Sequence, residues 1–164
     1  MSALAGVRYD PATSVHATAL VVGEAGLLLR GPSGSGKSCL ALALLALADD
    51  RGSFARLIGD DRVSIRSESG RILAIGAPNM AGLIERRGYG LASARAEPCA
   101  IIRLVVDLLP ENEMSERLPD EGALIAVVNG VALRRLVFDA RTAPFEQAYA
   151  VLGYLEHNDD KNMA

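Results

Sequence analysis

The pattern with the clearest chemical meaning is a glycine-rich segment in the first quarter of the chain. Residues 31–38 read GPSGSGKS and match the phosphate-loop pattern G-x-x-x-x-G-K-[ST] at every fixed position. An apolar stretch at residues 27–29 precedes it, and an apolar run with helical character, residues 39–48, follows it. Glycines let backbone N–H groups point at phosphate oxygens, and the N-terminus of the following helix favours the same anion. The segment therefore predicts binding of a nucleoside triphosphate.

Two residues of this loop carry further chemistry. Lys37 is expected to reach the β- and γ-phosphates, and the Ser38 hydroxyl is expected to ligate Mg²⁺. The whole segment is the candidate nucleotide-binding set: Gly31, Pro32, Ser33, Gly34, Ser35, Gly36, Lys37 and Ser38.

Two adjacent carboxylates, Asp60 and Asp61, follow a short apolar strand at residues 56–58. Carboxylates at a strand end beside a phosphate loop meet Mg²⁺ or an incoming hydroxyl. Neighbouring carboxylates also raise each other's proton affinity, which suits one of them to proton transfer. A solvated acidic turn is an equal alternative. Asp107, which closes an apolar run, is a rival metal-binding acid of the Walker B kind, although apolar residues continue beyond it.

Composition limits the classes of protein to consider. With 164 residues, half of them hydrophobic, residues 1–164 are expected to form one domain, with a core at 15–156 and a polar tail at 157–164. Seventeen basic and twenty acidic residues give a net charge of −3, which argues against nucleic acid or an acidic membrane as partner. No signal peptide is visible, and the apolar run at 40–48 is too short to span a bilayer. A cytoplasmic, soluble protein is expected.

Hydrophobic patterning predicts an α/β fold. A hairpin over residues 18–29 leads into the phosphate loop, and a helix from Lys37 is expected to end near Gly52. Asn129-Gly130 predicts a second hairpin, and helical spacing from Phe145 onward predicts a C-terminal helix. Further strands are predicted at 63–65, 72–75, 101–109, 123–128 and 131–137. The sheet is expected to be mixed, with more hairpins than a doubly wound nucleotide fold has.

Four features beyond the phosphate loop resemble the C-terminal catalytic domain of the bacterial HPr kinase/phosphorylase family. The resemblance covers residues 15–154 and implies the P-loop fold variant shared with phosphoenolpyruvate carboxykinases, a mixed sheet with hairpins and flanking helices. The features are VH at 15–16, which opens the hairpin before the loop, LIGDDRV at 57–63, AP at 77–78 followed by LIERRGYG at 83–90, and ERL at 116–118.

The resemblance implies a reaction and a role for individual residues. Members phosphorylate a serine of the phosphocarrier HPr with ATP and Mg²⁺, and they remove that phosphate with inorganic phosphate, releasing pyrophosphate. Asp60 would accept the serine proton and return it in the reverse reaction. The other implied positions are His16, Lys37 and Arg117 in the active site, Ser38 and Glu85 as Mg²⁺ ligands, and Asp61, Arg87 and Arg141 as candidate contacts to phosphate or to the acceptor.

The sequence also departs from this family. The sequence is expected to represent a short form without the family's N-terminal domain. In addition, Cys39 replaces the usual Glu, and residues 140–142 match the family's Gly-Arg-Asn segment only loosely. These departures leave open the homo-oligomeric state, the regulatory signal and the retention of phosphorolysis. Two alternatives remain: a small-molecule P-loop kinase in which Asp60 binds the acceptor, and an NTP-binding regulatory module or ATPase without an acceptor.

Overall fold

The computed structural model describes residues 6–162, with side chains described up to Asn158. Within this range the chain forms eleven strands and two α-helices, besides two short 3₁₀ turns. The strands are β1 (Ser14–His16), β2 (Thr18–Val22), β3 (Ala25–Arg30), β4 (Ala55–Gly59), β5 (Arg62–Glu68), β6 (Arg71–Gly76), β7 (Leu83–Arg86), β8 (Gly90–Ser93), β9 (Cys99–Leu108), β10 (Ile125–Val128) and β11 (Val131–Phe138). The helices are α1 (Lys37–Asp50) and α2 (Pro144–Asn162).

The ten-residue strand β9 organises a mixed sheet of nine strands. One edge of β9 runs parallel to β3, and β2 and β4 continue the sheet from there in antiparallel pairs. The other edge is divided, because β6 pairs antiparallel with residues 99–102 and β11 pairs parallel with residues 104–108. β5 and β1 lie beyond β6, and β10 lies beyond β11. The sheet therefore forks where β6 gives way to β11.

The sheet curls until the end of β6 meets the end of β4. A side chain at Gly76 would collide with the carbonyl oxygen of Ile58, so only glycine permits this close approach. The backbone N–H of Ala17 donates to the carbonyl oxygen of Asp61 at 3.2 Å, which joins the entry to β2 with the end of β4. As a result, residues from β1, β2 and β4 converge beside the phosphate loop.

Two hydrophobic cores, one on each face of the sheet, fix β3 in place. Leu27 and Leu29 belong to the core that α1 and α2 cover, whereas Leu28 points to the opposite face, in accord with the two-residue period of a strand. Each buried leucine contributes roughly 1.5–3 kcal/mol. The strand that delivers the phosphate loop is thus anchored from both sides.

The α/β fold with a mixed sheet and helices is confirmed, and most predicted elements are present. Residues 15–16 are an exception, because they pair antiparallel with residues 62–63 in β5 instead of opening the hairpin before the loop. The β7–β8 hairpin was not predicted, since Ile84 is its one fully buried residue and leaves little alternation in the sequence. α2 continues through most of the polar C-terminal segment. Among the residues described, no helix combines the length and apolar character needed to cross a membrane.

Candidate active site

The phosphate-loop segment joins the end of β3 to the start of α1 and rests on the end of β9. Gly31 has φ 150°, and a Cβ added there would lie 2.5 Å from the carbonyl oxygen of Leu108 and 2.6 Å from the Ser35 hydroxyl oxygen. Any side chain at this position would push the loop off the sheet. The first glycine of the motif therefore serves a close backbone contact as well as a turn.

The N-terminus of α1 is open to an anion. Its N-cap is Gly36, with φ 100°, which supplies no side-chain acceptor, and its first turn contains no acidic residue. The first N–H groups of a helix have no intrahelical partner and carry partial positive charge. The Ser35 hydroxyl is buried without a hydrogen-bond partner among the described residues. These free donors suit phosphate oxygens.

Lys37 adds a positive charge across the same loop. Its ammonium group donates to the carbonyl oxygens of Gly31 at 2.9 Å and Pro32 at 3.0 Å, and the residue is buried. Burial lowers the pKa of Lys37, while the negative charges of Asp61 and Asp60 oppose that shift. The lysine is therefore held in place before any ligand arrives.

Asp60 accepts hydrogen bonds from residues on three different elements. Its carboxylate accepts hydrogen bonds from the Thr18 hydroxyl at 2.7 Å, the Ser38 hydroxyl at 2.9 Å and the backbone N–H of Glu85 at 3.0 Å. These donors lie on β2, α1 and β7 respectively. Asp60 thus orients the Ser38 hydroxyl and holds the β7–β8 hairpin against the loop.

The neighbouring Asp61 directs its carboxylate away from Ser38, toward a different partner. Its backbone has φ 65°, the left-handed region that a non-glycine residue rarely adopts, at a cost of about 1–2 kcal/mol. Its side chain is 69 % exposed and lies 2.8 Å from Nε2 of His16 on β1. The two neighbouring carboxylates consequently have different partners: the half-buried Asp60 contacts Ser38, and the exposed Asp61 lies beside an imidazole.

The β7–β8 hairpin covers the loop from the other side. The buried Ile84 anchors the hairpin in the core, while the neighbouring Glu85 lines the same cavity as Ser38. At the turn, Nη2 of Arg87 lies 2.9 Å from the position a Cβ would take at Gly34. The Arg87 guanidinium therefore sits directly over the phosphate loop.

These elements enclose an open cavity of about 260 Å³. It brings together ten of the predicted site residues, and it adds Thr18 and Cys39, which the sequence analysis did not select. Thr18 could have been noticed as a hydroxyl at the start of an otherwise apolar strand. The lining residues are His16, Thr18, Ser33, Gly34, Gly36, Lys37, Ser38, Cys39, Asp60, Asp61, Glu85 and Arg87.

Asp107, the rival metal-binding acid, does not line this cavity. Its carboxylate accepts two hydrogen bonds from Arg30, at 2.7 and 2.8 Å, and one from Nε of Arg135 at 2.6 Å. Both carboxylate oxygens therefore hydrogen-bond to guanidinium groups and are not available to a metal ion. The residue instead ties the end of β3, immediately before Gly31, to β9 and β11.

Arg117 and Arg141 also lie outside the cavity lining. Arg117 belongs to the exposed loop between β9 and β10, and Arg141 forms an ion pair with the buried Asp139 at 2.7 Å. Asp139 also accepts hydrogen bonds from the backbone N–H of Ser115 at 2.8 Å and from its hydroxyl at 2.9 Å. Arg141 and then Ser115 hold the pKa of Asp139 well below its usual range. Asp139 thus fastens that loop to the segment between β11 and α2.

The fold and the cavity together define a P-loop domain of the kinase-like α/β class. Residues 8–129 match the family model described as HPr Serine kinase C-terminal domain. That match spans most of the chain, so the chain belongs to this family.

Curated relatives agree with this membership, and a solved structure shares the fold. The chain is 42 % identical over 85 residues to the HPr kinase/phosphorylase of Geobacillus sp. (strain WCH70), covering 51 % of this chain and 25 % of the relative. It is 38 % identical over 109 residues to that of Geobacillus thermodenitrificans, covering 62 % and 33 %. This chain therefore aligns with no more than a third of these relatives' length. The structure of the Hpr(Ser) kinase/phosphatase from Coxiella burnetii matches with a TM-score of 0.71 at 21 % identity, covering 89 % of this chain and 98 % of that one.

Proposed function

We propose that this protein is a cytoplasmic ATP- and Mg²⁺-dependent kinase that phosphorylates a serine of the phosphocarrier HPr, and that it also catalyses phosphorolysis of the phosphoserine. The observation that carries the proposal is the partly exposed His16–Asp61 pair, which lines the same open cavity as Lys37 of the phosphate loop. This arrangement offers an acid–base group to a hydroxyl that approaches from solvent.

The loop fits a nucleotide and the neighbouring side chains fit a magnesium ion. Bound ATP and Mg²⁺ would supply the phosphoryl group and neutralise its charge. Lys37 and the free N–H groups of α1 would bind the phosphates, and Ser38 and Glu85 would hold the metal. No group of three or more His, Cys, Asp or Glu suited to a metal occurs among the described residues. Mg²⁺ commonly uses one or two carboxylates together with waters and substrate phosphates, so this small donor set is sufficient.

For the proton acceptor, the geometry favours Asp61 over Asp60, to which the family resemblance assigned that role. The Asp60 carboxylate already accepts hydrogen bonds from Thr18, Ser38 and Glu85, which occupy its oxygens. Asp61 is exposed and has His16 as its partner. We therefore infer that Asp61 takes the serine proton, whereas Asp60 orients the Ser38 hydroxyl toward the metal.

The shape of the site favours a protein over a small metabolite as acceptor. Pockets for small molecules usually have volumes of about 300–1,000 Å³ and enclose most of the ligand. This cavity, at about 260 Å³, has little room beyond the phosphate groups and opens to solvent. On the adjacent hairpin the side chains of Tyr89 and Leu91 are exposed, as suits contact with a protein surface.

Phosphorolysis needs a place for a second phosphate group. Arg87, over Gly34, is the basic side chain best located to hold it. Arg141 would have to leave Asp139, and Arg117 would have to move in from the exposed loop, before either could contribute. We therefore propose that Arg87 binds inorganic phosphate and the pyrophosphate formed from it.

Transfer of the radiolabelled γ-phosphoryl group of ATP tests this function. We expect Mg²⁺-dependent label in purified HPr and none in an HPr variant whose acceptor serine is replaced by alanine. Label in members of a metabolite panel would instead support a small-molecule kinase. ATP hydrolysis that is unaffected by HPr would support an ATPase or regulatory module.

A further inference from the structure

A second cavity lies at the end of the sheet opposite the phosphate loop. It has a volume of about 590 Å³, within the range of small-molecule sites, and is larger than the candidate active site. Its lining includes Ala25 at the start of β3, whereas the phosphate loop follows Arg30 at the end of that strand. Five residues of extended chain span roughly 17 Å. The two cavities are therefore separate sites.

Three arginines line this cavity, and we call it the arginine cavity: Arg71 on β6, Arg103 on β9 and Arg134 on β11. None of them forms an ion pair with a side chain that the structure describes. Among the residues whose side chains the structure describes, no aspartate or glutamate lines the cavity, although the chain has twenty acidic residues against seventeen basic ones. The cavity thus concentrates positive charge in a protein that is negative overall.

Strand register places these arginines together. Ile102 pairs with Ile72 of β6, and Leu104 pairs with Arg134 of β11, so Arg103 lies at the fork between the two strands. The pairing of β9 with β3 also passes from Ile102 to Leu104 and omits Arg103. Arg103 is therefore the extra residue of a β-bulge, a feature that redirects a side chain.

The rest of the lining is mainly apolar. Leu104 of the sheet and Tyr154 and Leu155 of α2 belong to the same core and form the apolar floor, whereas Val131 and Leu133 pack toward the core on the other face of the sheet. A concave surface with an apolar floor and a few convergent charged groups is typical of a site for a small organic ligand. Guanidinium groups bind carboxylate and phosphate oxygens through paired hydrogen bonds.

We propose that the arginine cavity binds a small organic anion, with phosphate or carboxylate groups that contact Arg71, Arg103 and Arg134 and a body that packs on the apolar floor. This site is independent of the nucleotide site and of the proposed kinase activity. It adds a second ligand-binding position to the domain.

The test is a titration of the ¹⁵N-labelled protein, residues 1–164, with 3-phosphoglycerate, with citrate and with uncharged glycerol, followed by amide chemical shifts. We expect saturable shifts at residues 70–72, 101–104 and 131–134 with one or both anions and none with glycerol. Binding of only one anion would identify phosphate or carboxylate as the preferred group. The Lys37→Ala variant, titrated in parallel, removes anion binding at the phosphate loop and should give the same shifts.

Matched variants distinguish binding at a specific site from a general effect of surface charge. Arg103→Gln should raise the dissociation constant at least tenfold, as expected for loss of a hydrogen bond to a charged group. Arg103→Lys should retain part of the affinity, and Arg95→Gln, which changes an exposed arginine outside the cavity, should bind normally. Arg134→Gln serves as a second test should Arg103→Gln not fold.

Three outcomes would overturn the proposal. The first is the absence of saturable shifts with either anion at about 10 mM, a concentration well above a millimolar dissociation constant. The second is an equal effect of Arg103→Gln and Arg95→Gln. The third is binding that occurs only in an Asp159→Asn/Asp160→Asn protein. In the sequence these two aspartates directly follow Asn158, which lines the cavity, so this result would show that their carboxylates pair with the arginines.

Discussion

Asp60 and Asp61 are neighbours in the chain, yet their carboxylates have different surroundings. Asp60 accepts a hydrogen bond from the Ser38 hydroxyl at 2.9 Å, whereas Asp61 lies 2.8 Å from Nε2 of His16 and is largely exposed. The left-handed backbone at Asp61, φ 65°, accompanies this divergence. One acid is thereby placed to organise a metal ligand, and the other is placed to meet a substrate.

Lys37→Ala is expected to remove nucleotide binding while the fold survives. The loop conformation depends on Gly31 and Gly36, and the Lys37 ammonium group contacts only loop carbonyl oxygens among the described residues. Calorimetric titration with ATP would measure the affinity, and circular dichroism would report the fold. Cys39→Ser is the control, because Cys39 lines the cavity without a predicted role. Normal ATP affinity in Lys37→Ala would contradict the assignment.

Glu85→Gln is expected to raise the Mg²⁺ concentration needed for half-maximal activity by about tenfold or more. The neutral amide keeps the size of the side chain but ligates Mg²⁺ more weakly than a carboxylate does. The backbone N–H that Glu85 donates to Asp60 is unaffected by the change, so thermal stability should be nearly the same. A Mg²⁺ titration of HPr phosphorylation measures the effect. An unchanged titration curve would show that Glu85 is not a ligand.

Asp107→Asn is expected to destabilise the protein by about 2–3 kcal/mol. Removing one partner of a buried ion pair costs about 3–5 kcal/mol, and the partial exposure of Arg30 and Arg135 reduces this amount. Urea unfolding measures the free-energy change. Glu156→Gln is the control, because its ion pair with Arg51 is exposed and should contribute less than about 1 kcal/mol. Equal effects of the two substitutions would deny Asp107 a structural role beside the loop.

Asp139→Asn is expected to lower stability at neutral pH, by an amount that disappears in acid. Arg141 and Ser115 depress the pKa of Asp139 in the folded state. The contribution of Asp139 to the free energy of unfolding is therefore at its maximum above the unfolded-state pKa of about 4. The contribution is lost as the pH falls from there toward the folded pKa. Urea unfolding of both proteins from pH 7 downward measures the difference. Glu121→Gln, at an exposed position, serves as the control substitution. A difference for Asp139→Asn that stays constant into acid would exclude this linkage.

The elements that depend on local patterning could be predicted from the sequence. The β2–β3 hairpin, α1 and β9 follow from apolar runs and glycines, and the ten predicted residues that meet in the cavity follow from motifs. The β1–β5 pairing and the fork beside β9 depend on contacts between distant segments, which periodicity does not encode. The different partners of Asp60 and Asp61 arise from one left-handed residue and from a histidine 45 positions earlier in the chain. The family resemblance selected Arg117, but the structure leaves it on an exposed loop.

We propose that Asp61 accepts the serine proton while Asp60 orients Ser38, and substitution of each aspartate in turn distinguishes these two roles. The measurement is the single-turnover rate of HPr phosphorylation by Asp61→Asn and Asp60→Asn enzymes, across a Mg²⁺ titration. Asp61→Asn should be slower by about 10²-fold or more at every Mg²⁺ concentration, with ATP affinity retained, since a positioned general base contributes 10²–10⁴. Asp60→Asn should need more Mg²⁺ and recover much of its rate when Mg²⁺ is saturating. Near-normal turnover in Asp61→Asn, together with a slow Asp60→Asn enzyme whose rate Mg²⁺ does not restore, would contradict these roles. Asp60 would then be the proton acceptor.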